Sequence, residues 1–180
     1  MSKSFFDYPL IHFIMDEVEK MKVDKFFDVS IKAMGNNCIT IADSDEINGI
    51  LCVYDIKEAP GITEFLRNGG FSFFPTYGLK KMKNTIAYMD KMDKTMKKYR
   101  KENDVYLYFL ATIPDMQKHG IASRLVETLF EYCKENHYGV YLETNDGNDS
   151  KYYQTLGFEE KEVVKIDDTL NLYAMYYPAK

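Results

Sequence analysis

The 180 residues are 46% apolar and 28% charged, an ordinary globular balance, and the length fits a single domain over 1–180 with a sizeable core. A net charge of -5 repels phosphate polymers and anionic surfaces, and no apolar run approaches the roughly 20 residues that cross a bilayer, so neither nucleic acid nor membrane is an expected partner. Three well-separated cysteines, Cys38, Cys52 and Cys133, without a C-x-x-C pair argue against a disulfide framework or a metal site, and predict a reduced, cytoplasmic setting.

In chain order, an apolar stripe through Leu10, Phe13, Ile14 and Val18 predicts a first helix from Tyr8 to about Lys20, capped by Asp7 with Pro9 in its first turn. A second helix is predicted from Asp24 to Met34, ending at Gly35-Asn36-Asn37. Cys38–Ala42 and Ile47–Tyr54 read as strands about the polar turn Asp43–Glu46. Pro60–Gly78 mixes glycines with Phe65, Phe71, Phe73, Phe74 and Tyr77, and reads either as a lid or as a core plug, with a short helix near Thr63–Arg67. Leu79–Arg100 reads as a long helix with a stripe of Leu79, Met82, Ile86, Met89, Met92 and Met96 opposite a lysine-rich face. That basic face is read as solvated rather than as a docking surface.

Val105–Thr112 is rich in β-branched and aromatic residues and predicts a strand, which Pro114 ends. Ile121, Leu125, Leu129 and Cys133 then set a helix over Ile121–Asn136, and Val140–Thr144 reads as the next strand. Two parallel strands joined by a helix make a βαβ unit, whose turn aims unpartnered backbone N–H groups at one point that suits a phosphate. Glu159–Ile166 and Leu170–Tyr177 close the chain as a strand pair about Asp167-Asp168-Thr169.

The run Gln117-x-x-Gly120-x-Ala122, then Tyr141-Leu142-Glu143-Thr144, then Tyr153-Gln154-Thr155-Leu156-Gly157-Phe158 resembles the motif series of the GNAT superfamily of N-acetyltransferases. The stretch from Asp104-Val105-Tyr106-Leu107 onward looks most like the branch that includes the puromycin-type acetyltransferases. The resemblance implies an α/β fold with a mostly antiparallel central sheet, one splayed parallel strand pair and flanking helices. It also implies acetyl-coenzyme A as cofactor and a primary amine of a small molecule or peptide as acceptor, attacked directly in a ternary complex. On this reading the chain works as a monomer or homodimer.

Carried over by position, the cofactor arm would pair with the backbone of Leu110, Ala111, Thr112 and Ile113. The pyrophosphate would lie on the turn formed by Gln117, Lys118, His119, Gly120, Ile121, Ala122 and Ser123. Tyr153 matches the tyrosine that protonates the departing thiolate, and a phenol with a pKa near 10 keeps its proton at neutral pH. Glu143, at the end of the second splayed strand, is the candidate general base, and Asp104 is the more distant alternative. The oxyanion would fall to a backbone N–H near Leu110 or Ala111. Where the family carries a cofactor-contacting Asn, this chain has Asp146, flanked by Asn145 and Asn148, and either Asn could take that place. The same motifs also fit a non-catalytic acyl-coenzyme A sensor.

Overall fold

The computed structural model describes residues 2–15, 17–35, 38–55, 66–69 and 74–179, leaving aside the side chains of 74–80 and 82. Helix α1 covers Pro9–Ile14 and stops where Met15 turns extended and buries its side chain. The helix expected to reach Lys20 is therefore cut short. Its last carbonyls meet a cation from elsewhere in the chain: Lys81 Nζ donates to His12 O at 3.4 Å and to Phe13 O at 3.0 Å, where the helix dipole favours positive charge. Tyr8 holds the N-cap position, without a side-chain cap, in place of the expected Asp7. Helix α2 spans Lys20–Met34, starting earlier than the predicted Asp24, and ends at Gly35 with φ 60. Asn36, Asn37 and most of the Pro60–Gly78 segment, with its predicted short helix and its lid-or-plug alternatives, lie outside the described residues.

Strands β1 (Cys38–Ala42) and β2 (Gly49–Asp55) form a hairpin that Asp43 closes, its carboxylate accepting the Gly49 N–H at 2.6 Å. Helix α3 runs over Phe74–Tyr99, longer at its start than predicted. Its inward face passes through Tyr88, Thr95 and Met96, with Met89 and Met92 packed against the same core, while Ile86, expected in the stripe, is 49% exposed. Threonine turns inward there at little cost, because Thr85 and Thr95 donate their hydroxyls to the helix's own carbonyls of Lys81 and Lys91. The lysine face is partly structural. Lys91 Nζ reaches the carbonyls of Lys165 and Ile166, and Lys98 Nζ meets Glu162 at 2.8 Å. Lys94 and Lys97 pair with Asp90 and Asp93 one turn away.

The remaining elements are β3 (Val105–Thr112), α4 (Ile121–Asn136), β4 (Val140–Thr144), α5 (Gly147–Thr155), β5 (Glu159–Lys165) and β6 (Asn171–Tyr177). They complete a six-stranded sheet of order β1-β2-β3-β4-β6-β5, in which only β3 and β4 run parallel. Pairing between those two is confined to Val105↔Val140 and Tyr106↔Tyr141, after which they part. This is the mixed α/β sheet with one splayed parallel pair that the motifs implied. One face packs Ile11, Val23, Phe27 and Tyr88 of the first three helices onto Tyr106, Tyr141 and Leu172. The other packs Ile121, Leu125 and Leu129 of α4 onto Leu51, Leu107 and Leu142.

Candidate active site

The site begins where β3 and β4 are still held together. Asp104, buried just before β3, accepts from Gly139 N at 3.0 Å, Lys101 N at 2.5 Å and the Tyr176 hydroxyl at 3.3 Å. Gly139 has no room for a side chain, since an added Cβ would stand 2.5 Å from both Asp104 Oδ1 and Tyr176 OH. Asp104 is thus fully engaged in joining the two strands at their start.

Beyond Tyr106 the strands diverge, and a second irregularity shapes the gap. Cys52 pairs with Phe109 and Val53 with Leu107, so Tyr108 is an extra residue, a β-bulge in β3. Past the bulge, backbone groups alternate between the two edges of the strand. Ile113 N donates to Asn48 O at 2.9 Å, on the β2 side, and Ala111 shares that direction. Leu110 and Thr112 therefore turn their N–H and C=O groups into the gap. Ser4 Oγ already donates to one of these, Thr112 O, at 2.9 Å.

A cavity of about 460 Å³ opens from the gap onto the start of α4, lined by Leu110, Thr112, Gln117, Gly120, Ile121 and Ser123 among others. The turn before α4 is shaped by two left-handed residues, Lys118 (φ 64) and Gly120 (φ 75). Gly120 is the N-cap, and an added Cβ there would meet only the flexible tip of Arg124 at 3.5 Å, so the glycine serves the backbone angle rather than space. The first helical bond is Arg124 N to Gly120 O, leaving the N–H groups of Ile121, Ala122 and Ser123 without helical partners. Ser123 Oγ lies 2.9 Å from the Tyr152 hydroxyl, tying α4 to α5. The α4 start is pressed onto β2, since an added Cβ at Gly49 would overlap Ile121 Cγ2.

Among the predicted cofactor residues, Leu110, Thr112, Gln117, Lys118, Gly120, Ile121, Ala122, Ser123 and Tyr153 line this cavity. Ala111 and Ile113 face β2. His119 turns its Nδ1 to Gln117 O at 2.8 Å. Asn145 is buried beside the other cavity, accepting from the Tyr88 hydroxyl and donating to Asn171 O, and Asn148 is exposed in the first turn of α5, its N–H on Asp146 Oδ1. The buried Thr112 hydroxyl lines the cavity without a hydrogen-bond partner among the described residues. An open strand edge, an orphaned hydroxyl and an uncapped helix start fit the amide-bearing arm and pyrophosphate of acyl-coenzyme A.

A second cavity of about 170 Å³ lies on the α1–α3 side of the sheet. Phe5, Tyr8, Leu110, Asp149 and Tyr153 line both cavities and form the neck between them. Tyr153 is buried there, and desolvation, reinforced by the nearby Asp149, raises its phenol well above the ordinary value. Glu143 lines the smaller cavity, its two oxygens accepting the hydroxyls of Tyr106 and, at 2.7 Å, Tyr141. Burial outweighs those two bonds and lifts its carboxyl to about 7.

Sequence reasoning missed Ser4, Phe5, Tyr8 and Asp149. The Tyr8 hydroxyl lies 2.9 Å from Thr144 Oγ1 and accepts from Asn145 N at 2.7 Å, while Thr144 Oγ1 donates to Asp149 Oδ2 at 3.4 Å. These contacts join positions far apart in the chain, and no local pattern announces them. Among the described residues no group of His, Cys, Asp and Glu could hold a metal ion, and no helix is long and apolar enough to cross a membrane.

The sequence matches the model of the Acetyltransferase (GNAT) family over residues 14–158. No curated protein matches it in sequence. Among solved structures, the C-terminal condensation domain of Ebony in complex with beta-alanyl-dopamine is similar at TM-score 0.68 and 9% identity, over 98% of this chain and 90% of that one. The histone acetyltransferase HPA2 and related acetyltransferase from Corynebacterium glutamicum ATCC 13032 is similar at TM-score 0.64 and 19% identity, over 99% and 86%. The protein smu.2055 from Streptococcus mutans UA159 is similar at TM-score 0.51 and 14% identity, over 85% and 77%. Identities this low show a shared fold alone.

Proposed function

Because the chain belongs to the GNAT family of acetyltransferases, which move an acetyl group from acetyl-coenzyme A to an amine, we propose that it acetylates a primary amine of a small molecule or peptide at the neck between its two cavities. The observation that carries this reading is the open β3 edge of Leu110 and Thr112 leading to Tyr153. Bound acetyl-coenzyme A supplies a thioester, with an electrophilic carbonyl and a sulfur that leaves as thiolate.

The N–H groups of Ile121, Ala122 and Ser123 receive the pyrophosphate, with Gln117 and Lys118 beside them. Leu110 and Thr112 hold the arm through main-chain bonds, and the gap-facing Leu110 N–H stabilises negative charge developing on the carbonyl oxygen. Tyr153 keeps its proton at neutral pH because burial penalises the phenolate, and delivers it to the thiolate. Glu143, with a carboxyl near 7, takes the proton that the amine loses.

Calorimetric titration with acetyl-coenzyme A tests the binding half. The wild type binds, and Gly120→Glu, which puts a side chain and a negative charge at the α4 start, does not. Thiol release against a panel of amines tests the transfer half. Failure of the wild type to bind would end the reading.

A further inference from the structure

We propose that the acceptor is a compact, apolar monoamine of roughly aromatic-ring size, whose ammonium group is held by Asp149 at the neck. The inference rests on the transferase reading above and narrows its acceptor. The smaller cavity, about 170 Å³, lies below the roughly 300 Å³ at which drug-sized ligands begin to fit. Its walls are rings and thioethers, with Phe27, Tyr88, Met89, Met92, Tyr106 and Phe109 prominent among them.

The polar groups in that wall are mostly spent. Asn145 uses its amide on Asn171 O and its carbonyl on Tyr88. Thr85 donates to Lys81 O, and Thr144 bridges Tyr8 and Asp149. Each oxygen of Glu143 accepts one phenol, and the carboxylate's remaining lone pairs serve to take the amine's proton. Besides the phenols of Tyr108 and Tyr153, two groups among the described residues keep an open position. Asp149 receives Thr144 on Oδ2 and leaves Oδ1 without a bond among the described residues. The Ser30 hydroxyl, on a residue only 2% exposed, has no hydrogen-bond partner among the described residues.

Among the described residues, a cavity with one unbonded carboxylate oxygen at its reactive end, largely apolar walls and the hydroxyls of Ser30 and Tyr108 to spare fits an acceptor with one cation, an apolar body and few further polar atoms. A peptide would bury unpaired amides there and an aminoglycoside unpaired hydroxyls, each costly without a partner, and a polyamine's second ammonium would have to occupy Glu143, the group that takes the proton. Asp149 is a binding residue on this account. It fixes the nitrogen beside Tyr153, while Glu143 accepts the proton.

The test is thiol release from acetyl-coenzyme A with 2-phenylethylamine, tyramine, spermidine, an alanyl peptide and an aminoglycoside. The arylethylamines should exceed the other three in kcat/KM by about 100-fold or more, which corresponds to the penalty for burying one unpaired polar or charged group. Asp149→Asn, which is isosteric, should raise the KM for 2-phenylethylamine about 10- to 100-fold and lower kcat less. Inhibition by the neutral 2-phenylethanol should be unchanged in that variant, which a merely structural role for Asp149 would not allow. Ser30→Ala should narrow any preference for tyramine over 2-phenylethylamine. Fastest transfer to the polyamine, the peptide or the aminoglycoside would overturn the proposal and leave the transferase reading standing, as would an unchanged amine KM in Asp149→Asn. Loss of thiol release with every acceptor would overturn both.

Discussion

Burial and hydrogen bonding oppose each other at Glu143, and burial prevails, which makes the residue a cost to folding at the pH where it is useful. Its carboxyl is lifted to about 7, mainly by desolvation and against the bonds from Tyr106 and Tyr141. A carboxyl raised in the folded state binds its proton more tightly there than in the unfolded chain, so stability falls as pH rises from the ordinary carboxylate range to about 7. Glu143→Gln removes that penalty. The melting temperature of the variant relative to wild type should climb between pH 5 and pH 8 by the equivalent of about 2 kcal/mol, whatever constant offset the altered phenol contacts introduce. In the same variant kcat should drop by about 10²- to 10⁴-fold, and the rising limb of the pH–rate profile near 7 should vanish. A limb that survives would move the proton acceptor to Asp149, whose carboxyl burial lifts to about 6. Tyr153→Phe should cost about 10²-fold in kcat with little change in the KM for acetyl-coenzyme A, since the phenol acts on the leaving sulfur.

At the scale of elements, the gap exists because β3 and β4 are joined at one end only, and Asp104 is the joint. Removing its carboxylate in Asp104→Ala leaves the Gly139 and Lys101 N–H groups and the Tyr176 hydroxyl without partners in a buried place, a loss of about 3 kcal/mol or more. Chemical denaturation should read that loss directly. Gly49→Ala acts at the opposite end, where the new methyl group meets Ile121 and pushes the α4 start off β2. It should cost about 1–3 kcal/mol and weaken acetyl-coenzyme A binding at a distance from the ligand.

These elements divide by how far their signals reach along the chain. The β3 run, the Gly120 turn, the α4 stripe and the Tyr153 motif were legible because each rests on neighbours within a few residues. The early stop of α1 was not, since Lys81 from α3 caps it. Nor was the half-exposure of Ile86, which depends on threonines turning inward in its place. The choice of Leu110 and Thr112 over Ala111 and Ile113 needs the bulge at Tyr108 and the bond from Ile113 to Asn48, both properties of strand pairing. Asp149 and Tyr8 enter the site through Thr144, a meeting that no window on the sequence contains.

For the whole molecule, the arrangement of the cavities sets the order of chemistry. One opens on the α4 start and the other lies across the sheet under α2 and α3, and among the described residues they share the neck of Phe5, Tyr8, Leu110, Asp149 and Tyr153. On the function proposed above, two ligands entering from opposite faces meet there without an intermediary. A covalent relay would need a nucleophile at the neck, and Cys38, Cys52 and Cys133 line neither cavity. Burial also pushes the Cys133 thiol up to about 12, away from the reactive thiolate form. Cys38, whose thiol is lowered to about 7 beside Cys52 and Thr40, stands on the outer strand β1. On the function proposed above, transfer therefore runs directly from thioester to amine with both ligands bound. Initial-rate measurements varying acetyl-coenzyme A at several fixed acceptor concentrations should give double-reciprocal lines that intersect, and incubation with radiolabelled acetyl-coenzyme A alone should leave no acetyl group on the denatured protein. Parallel lines together with a labelled chain would place a nucleophile in the path, and Cys38→Ala would then be the first variant to examine.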